Sequence, residues 1–242
     1  STEIAVPKKG GDSSVEGGEL YPGQVFFSDF ERENDGTTIY GKGNFTDFGG
    51  NFGRVFQNVS GAQRSNYLIL PEDVLSHSAE TKELSIGVWV NAANAGASSD
   101  YMWAPLFSAY ASGPATDNGT PMFVCQYRGI LQVNCNGWCD FTDAQNTNQV
   151  NGVYHDATDW LADKGWHYYT VTLTETNAKV YFDGVLKNEW NVSGSGDGNV
   201  IGGLFSNGSD LKYICLGGNQ AWNWGDNDAG FMFDDIAIYN KA

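Results

Sequence analysis

Two tryptophans stand among amide and carboxyl side chains at residues 220–228, QAWNWGDND. The flat face of an indole packs on the C–H groups of a pyranose ring, and Asn, Asp and Gln side chains bond the ring hydroxyls. We therefore predict a carbohydrate-binding loop that uses Trp222, Asn223, Trp224 and Asp226. The sequence leaves one alternative open, in which both indoles fold back over a sheet and cover the core.

The same mixture of aromatic and polar residues occurs in two other predicted loops. Tyr101 and Trp103 follow a stretch of small residues, and Trp138 stands two positions before Asp140. Because exposed aromatic side chains mark binding surfaces, we add Tyr101, Trp103 and Trp138 to the predicted carbohydrate-binding set. For the tryptophans at positions 89, 166 and 190, packing is the expected role.

The composition disfavours two classes of partner. The 242 residues include 29 acidic and 13 basic ones, which gives a net charge of −16. Such a surface repels phosphate backbones, so we predict no nucleic-acid partner. No apolar run reaches the ~18 residues that cross a bilayer, which predicts no membrane insertion. Hydrophobic residues make up 41% of the chain, enough for a core, and 31 glycines indicate many turns between short strands.

Residues 164–190 predict a three-strand antiparallel meander that carries the centre of the fold. Apolar and polar residues alternate over 168–173, which is the period of a pleated strand with two faces. Residues 175–178 supply a turn, and Asp183-Gly184 accepts a positive φ at both centres of a type I′ turn. This second turn puts Phe182 opposite Val185. Residues 84–90 predict another strand, with apolar side chains on its core face.

Four stretches, which follow the family's order along the chain, resemble one known family. They are Trp166-His167 followed by Tyr181-x-Asp183-Gly184, the glycine-rich 50–56, the aliphatic 84–90, and FDDIAIYN at 233–240. Together they resemble the laminin-G-like or concanavalin-A-like jelly-roll domains, over roughly residues 25 to 242. The resemblance implies an all-β fold, a two-sheet antiparallel β-sandwich, with extracellular glycans or proteins as ligands.

The chain divides into a tail and a single domain. Residues 1–22 are rich in Gly, Ser, Lys and Glu, which predicts a flexible N-terminal linker. Residues 23–242 show no second core and no internal repeat, so they are predicted to form one jelly-roll domain. We expect a secreted or periplasmic protein, or one anchored at the cell surface through the linker.

Residue patterns that would support catalysis are missing. Neither the Glu-x-Asp-x-x-Glu pattern of glucanases in this superfamily nor the Gln-Ile-His pattern of its lyases occurs. No Gly-x-Ser-x-Gly elbow accompanies the three histidines. We therefore predict a non-catalytic module that binds oligo- or polysaccharide. Two alternatives stay open: an adhesion domain with a protein partner, and a divergent glycoside hydrolase or polysaccharide lyase.

The resemblance also suggests a metal site. Jelly rolls of this type pair their first and last strands, which would bring Asp29, Glu31 and Asn34 near Asp234 and Asp235. Oxygen ligands of this kind suit Ca²⁺, so one structural calcium ion is predicted. The alternative is that Asp234 accepts backbone N–H bonds in a corner turn while Asp235 faces water.

The four cysteines leave the redox state open. No CxxC pair exists, which argues against a structural zinc site. If residues 128–129 form a two-residue hairpin turn, Cys125 faces Gln132 and Cys135 points to the opposite face of the sheet. Cys135 and Cys139 flank a tight turn and can form a local disulfide, while free buried cysteines are equally compatible with the sequence.

Overall fold

The computed structural model describes residues 3–7, 23–110, 122–127, 130–134, 138–140, 159–191, 205, 211–220 and 225–242. The strands in these ranges are, in chain order, β1 Gln24–Ser28, β2 Thr38–Tyr40, β3 Asn44–Gly49, β4 Gly53–Gln57, β5 Tyr67–Ile69, β6 Glu83–Asn91, β7 Pro105–Tyr110, β8 Met122–Gln126, β9 Ile130–Asn134, β10 Trp138–Asp140, β11 Trp166–Thr174, β12 Asn177–Phe182, β13 Val185–Asn191, β14 Tyr213–Leu216 and β15 Met232–Tyr239. Short helices lie between them: α1 Ser78–Thr81, α2 Ser98–Tyr101 and a 3-10 turn at Gly50–Phe52.

The strands form two antiparallel sheets. An eight-stranded sheet runs β13-β12-β11-β6-β15-β4-β3, with β1 also paired to β15, and a seven-stranded sheet runs β10-β9-β8-β7-β14-β5-β2. Side chains of both sheets form one buried cluster that includes Phe56, Val88 and Phe233 from the larger sheet and Leu68 and Phe107 from the smaller. The predicted all-β, two-sheet antiparallel sandwich is confirmed, and its first and last strands pair.

The predicted meander is present as β11, β12 and β13. Asp183 and Gly184 have φ of 50° and 79°, the two positive values of a type I′ turn. Phe182 pairs with Val185, as the two-residue turn predicts. Alternation along β11 then directs Tyr169 into the core, so this turn sets the register of the sheet edge.

Strand β6 lies between β11 and β15 at the centre of the larger sheet. Its predicted core face is confirmed, since Ile86 and Val88 are 4% and 3% exposed. Gly87 faces the other side, where a Cβ atom would stand 2.0 Å from the Tyr168 hydroxyl. Glycine therefore makes room for the Tyr168 ring on the outer side of the sheet.

His167 joins the meander turn to the preceding loop. Its Nδ1 lies 2.5 Å from Asp183 Oδ2, and its Nε2 lies 2.8 Å from Asp163 Oδ1. Burial lowers the pKa of His167, but the bonds to Asp183 and Asp163 outweigh it, so the pKa is raised. The Asp163 pKa is lowered by the Gly165 N–H and by His167. His167 therefore has a structural role, because both of its ring nitrogens are already bonded to carboxylates.

A short N-terminal segment lies against the meander. Glu3 forms an antiparallel bridge with Val185, and the Ile4 N–H donates to the Gly184 carbonyl at 2.8 Å. Two features of position 184 require glycine: its φ is positive, and a Cβ would lie 2.5 Å from the Ile4 oxygen. Residues 8–22 lie outside the described residues, so the linker over 1–22 stays a prediction.

The hairpin between β8 and β9 differs from its predicted register. Cys125 pairs with Leu131 and Gln126 with Ile130, so the turn has three residues and the expected Cys125–Gln132 pairing was wrong. The cause is Tyr127, which leaves the strand ladder: its N–H donates to the Ala104 carbonyl at 2.9 Å, and its ring is 1% exposed. Cys125 and Cys215 are free and buried, while the side chains of the other two cysteines lie outside the described residues.

Candidate functional site

The outer side of the seven-stranded sheet is lined by tyrosines. Core residues such as Phe107 alternate with residues that face away from the core, and the latter include Tyr67, Tyr110 and Tyr213. Tyr40 stacks on Tyr67 at 4.6 Å between ring centroids, and Tyr110 stacks on Tyr213 at 5.4 Å. We call these four side chains the tyrosine face. Tyr40 is 49% exposed, so one end of this face is open to solvent.

Gln126 connects the tyrosine face to the predicted carbohydrate loop. It lies on the same side of β8 as Val124, which packs with Tyr110. Its Nε2 donates to Asp226 Oδ2 at 3.1 Å. Burial raises the pKa of Asp226 to about 6, and the bond from Gln126 offsets part of that rise. A partly exposed carboxylate of the predicted loop is therefore bonded to the side of β8 that faces away from the core.

Both ends of the predicted loop are anchored. Gln220 Nε2 donates to the Cys215 sulfur at 2.8 Å, which ties the start of the loop to the smaller sheet. At the far end, the Gly225 N–H donates to Gln63 Oε1 at 2.6 Å. Trp222, Asn223 and Trp224 lie between these anchors and outside the described residues. Their role in binding stays a prediction.

Asn58 holds together three chain segments that support this loop. Its Nδ2 donates to the carbonyls of Asn66, Gly217 and Ala229, at 3.1, 3.2 and 2.9 Å. The side chain is 1% exposed. The two hydrogens of this amide are therefore shared among three buried carbonyls, which fixes the base of the site.

Asp228 completes this support from the opposite side. Its Oδ2 accepts the N–H groups of Ser65 and Asn66 at 3.1 and 2.9 Å. Its Oδ1 is buried and has no hydrogen-bond donor within the described part of the chain. Burial raises the pKa of Asp228 to about 7, although the backbone donors counteract the rise. We call Asn58 and Asp228 the loop tie.

The other predicted carbohydrate residues divide between this region and the core. Trp138 pairs with Asn134, Asn134 pairs with Met122, and Met122 pairs with Tyr110, each on the neighbouring strand. Trp138 therefore lies at the same level of the smaller sheet as Tyr110. Its side chain lies outside the described residues. Tyr101 is placed differently from the prediction: its ring is 1% exposed, and its hydroxyl donates to Asp159 at 2.7 Å. It packs in the core, so we leave it out of the binding set.

Trp103 lies near the predicted loop. It is partly buried and follows α2, whose Asp100 carbonyl accepts the Asn227 Nδ2 at 3.2 Å. The α2 segment therefore adjoins the 225–230 segment. Trp103 stays in the predicted binding set on this placement.

The predicted calcium ligands are engaged in local bonds. Glu31 Oε1 accepts the Arg54 N–H at 2.7 Å, and Asp29 Oδ1 accepts the Glu31 N–H at 3.0 Å. Asp234 is fully buried, and its Oδ1 accepts the Asp235 N–H at 2.9 Å. Within the part of the chain that the structure describes, no three His, Cys, Asp or Glu side chains form a metal-binding group. A calcium ion held by Asp29, Glu31, Asn34, Asp234 and Asp235 stays a prediction.

A second aromatic cluster lies on the outer side of the larger sheet. Phe52 stacks on Trp166 at 4.2 Å, Phe48 meets Trp166 edge-on at 5.3 Å, and Trp89 lies 5.9 Å from Phe52. Phe48 is 45% exposed. These contacts bring the tip of the β3–β4 hairpin onto the sheet, which fits the packing role predicted for both tryptophans.

The sequence analysis missed Gln126 and the tyrosine face. A signal was available, because Tyr110 and Tyr67 stand next to core residues and therefore face the other side of their strands. Asp226 and Asp228 also stand two positions apart, but they lie in a predicted loop and not in a predicted strand, so their spacing gave no signal.

Comparison with known proteins supports the fold. Residues 61–242 match the family described as the concanavalin A-like lectin/glucanases superfamily. A search of curated proteins found no match. Among solved structures, the binding domain of Botulinum neurotoxin DC in complex with SialylT has a TM-score of 0.51 and 12% identity over 90% of this chain and 48% of that one.

Two further structures are similar to this chain. The same toxin domain in complex with rat synaptotagmin II has a TM-score of 0.52 and 14% identity, again over 90% of this chain and 48% of that chain. This chain thus spans about half the length of the toxin structures. Domain 4 of AbnA, a GH43 extracellular arabinanase from Geobacillus stearothermophilus, in complex with arabinotriose, has a TM-score of 0.48 and 15% identity over 84% and 81% of the two chains. At these identities the similarity concerns the fold alone.

Proposed function

Because this chain belongs to the concanavalin A-like lectin/glucanases superfamily, we propose that it is a non-catalytic carbohydrate-binding domain. The binding site would combine the loop at residues 220–228 with Tyr40, the exposed member of the tyrosine face; Tyr67, on which Tyr40 stacks, and Tyr110 are buried. One observation carries the proposal: Gln126 holds the partly exposed Asp226 carboxylate at β8, on the side of that strand whose Val124 packs with Tyr110. Aromatic rings for sugar faces and a carboxylate for sugar hydroxyls are the two groups that carbohydrate recognition needs.

The absence of catalysis is part of the proposal. Asp226 and Asp228 would be the natural acid pair for glycoside hydrolysis, since they stand two residues apart and have raised pKa values. Asp228, however, is fully buried, and its Oδ2 is occupied by the N–H groups of Ser65 and Asn66. A carboxyl group in that position cannot reach a glycosidic bond outside the domain, which supports binding without cleavage.

A protein partner is the second candidate. The exposed Phe48, beside Trp166 on the larger sheet, favours it because a partly exposed aromatic cluster suits a protein interface. In that case binding would map to the larger sheet and leave Asp226 unaffected.

Location and calcium complete the proposal. We propose a secreted or periplasmic protein, or one held at a cell surface. The described residues contain no helix long and apolar enough to cross a membrane. We also propose that Asp29, Glu31, Asn34, Asp234 and Asp235 hold one structural Ca²⁺.

Removal of calcium is expected to lower the melting temperature. A site with a micromolar dissociation constant, saturated with millimolar Ca²⁺, would contribute about 4 kcal/mol to the free energy of unfolding. The measurement is a thermal melt with excess EGTA and again after Ca²⁺ is restored. Identical midpoints would reject a stabilising ion.

Replacement of Asp226 by alanine is expected to weaken glycan binding at least ~10-fold, because a hydrogen bond to a charged group contributes about 1.5–3 kcal/mol. Affinity electrophoresis against a panel of polysaccharides measures the retardation, and a reducing-sugar assay on the same mixtures detects cleavage. Asp73→Ala is the matched control, since it removes the same charge from an exposed turn.

The three outcomes separate the candidate functions. Retardation of the wild type and of Asp73→Ala, lost in Asp226→Ala and without new reducing ends, supports the proposal. New reducing ends would make the protein an enzyme. Equal retardation of all three proteins would move the site away from Asp226, and neither retardation nor new reducing ends would favour the protein partner.

A further inference from the structure

The side chains of the loop tie, together with Gln126 and Asp226, offer more hydrogen-bond acceptors than donors. Asn58 commits its Nδ2 to three carbonyls, and Gln126 commits its Nε2 to Asp226. These bonds fix the orientation of both amides, so their oxygens face the other way. Asn58 Oδ1, Gln126 Oε1 and Asp228 Oδ1 are all buried and receive no donor from the residues that the structure describes.

This surplus of acceptors gives the site a negative character. The partly exposed Asp226 carboxylate adds one negative charge to this site. Asp228 adds a second negative charge when the pH is above its pKa of about 7. Arg64 acts in the opposite direction, since its charge counteracts part of the rise in the Tyr110 pKa. Within the described residues, the Arg64 guanidinium does not balance the Asp226 and Asp228 carboxyl groups together with the two unpaired amide oxygens of Asn58 and Gln126.

Resting on the proposed function, we infer that this site selects neutral, hydroxyl-rich glycans and rejects glycans that carry carboxylate or sulfate groups. Sugar hydroxyls supply the donors that the Asp226 carboxylate accepts. An anionic group at the same place would meet like charge in a partly buried setting, where screening by solvent is weak.

The test compares neutral and anionic forms of the same sugar chain. Affinity electrophoresis at pH 8 and low salt would use neutral glucan, mannan, galactan and xylan, each also as its sulfated derivative, together with heparin and polygalacturonate. We expect every neutral polymer that binds to bind at least ~10-fold more tightly than its sulfated form. In 0.5 M NaCl the part of the difference that comes from exposed charges should shrink, while the part that comes from the partly buried Asp226 should persist.

Two variants locate the origin of the selectivity. Asp226→Asn removes the negative charge while keeping an oxygen acceptor, and we expect it to reduce the ratio of neutral to sulfated affinity several-fold. Arg64→Gln removes the opposing positive charge and should increase that ratio. A thermal melt of each variant checks that it is folded.

The inference and the proposed function fail differently. Tighter binding of sulfated polymers, heparin or polygalacturonate would overturn the inference while leaving carbohydrate binding in place. An unchanged ratio in a folded Asp226→Asn variant would also overturn it. Binding to no polymer of either kind would overturn the proposed function, and the inference with it.

Discussion

Replacement of Asn58 by alanine is expected to lower the free energy of unfolding by about 3–5 kcal/mol. The variant loses the Asn58 bonds to three carbonyls and leaves those of Asn66 and Ala229 buried without this donor, while the Gly217 carbonyl keeps the Ala229 N–H at 2.8 Å. Each such carbonyl costs about 1–3 kcal/mol, and the losses overlap because one side chain makes all three bonds. Urea unfolding followed by circular dichroism gives the change from the midpoint and slope.

Asn227→Ala is the matched control for this prediction. Asn227 is also an asparagine at this end of the sandwich, but it is exposed and its Nδ2 makes one bond, to the Asp100 carbonyl. We expect a loss below about 1 kcal/mol. Equal losses in the two variants would show that the three bonds of Asn58 do not hold the segments together.

Asp228 is expected to make the protein less stable as the pH rises from about 4 to about 7. Its folded pKa of about 7 lies above the unfolded value of about 3.9, so the folded protein binds a proton that the unfolded chain has lost. The stabilising effect of that proton is complete below pH 4 and is lost as the pH approaches 7. A shift of this size corresponds to about 4 kcal/mol.

The Asp228→Asn variant should abolish this part of the pH dependence, because asparagine keeps an acceptor for the Ser65 and Asn66 N–H groups and does not ionise. Urea midpoints at half-unit steps from pH 4 to pH 8 measure the slope. Asp226→Asn is the comparison, since the lower pKa of Asp226, about 6, limits its contribution to the range below pH 6. A slope in Asp228→Asn as steep as that of the wild type would contradict the assignment.

The sequence was most informative where strand alternation and turn chemistry agree. Asp183-Gly184 requires a type I′ turn, and the turn fixes which side of β11 and β12 faces the core. The apolar alternation of β6 likewise placed Ile86 and Val88 correctly. These features depend on neighbouring residues, so a single sequence contains them.

The site depended on long-range contacts that no local pattern specifies. Gln126 bonds Asp226, which lies 100 positions away in the chain, so strand packing and not local sequence brings the two together. Tyr127 leaves its strand to bond Ala104, which moved the hairpin register by one residue. In the sequence, Tyr101 resembles an exposed aromatic binding residue, but in the structure its side chain is buried and its hydroxyl donates to Asp159.

The most direct test of carbohydrate binding at the tyrosine face is a titration of ¹⁵N-labelled protein with the neutral oligosaccharide that the panel identifies. Correlation spectra report the side-chain amide of Gln126, the backbone amides of 225–228 and the indole N–H groups of Trp89 and Trp166. We predict that the Gln126 and 225–228 signals shift on binding while the two indole signals stay in place. Shifts at Trp89 and Trp166 with an unchanged Gln126 signal would put the ligand on the larger sheet and contradict the account.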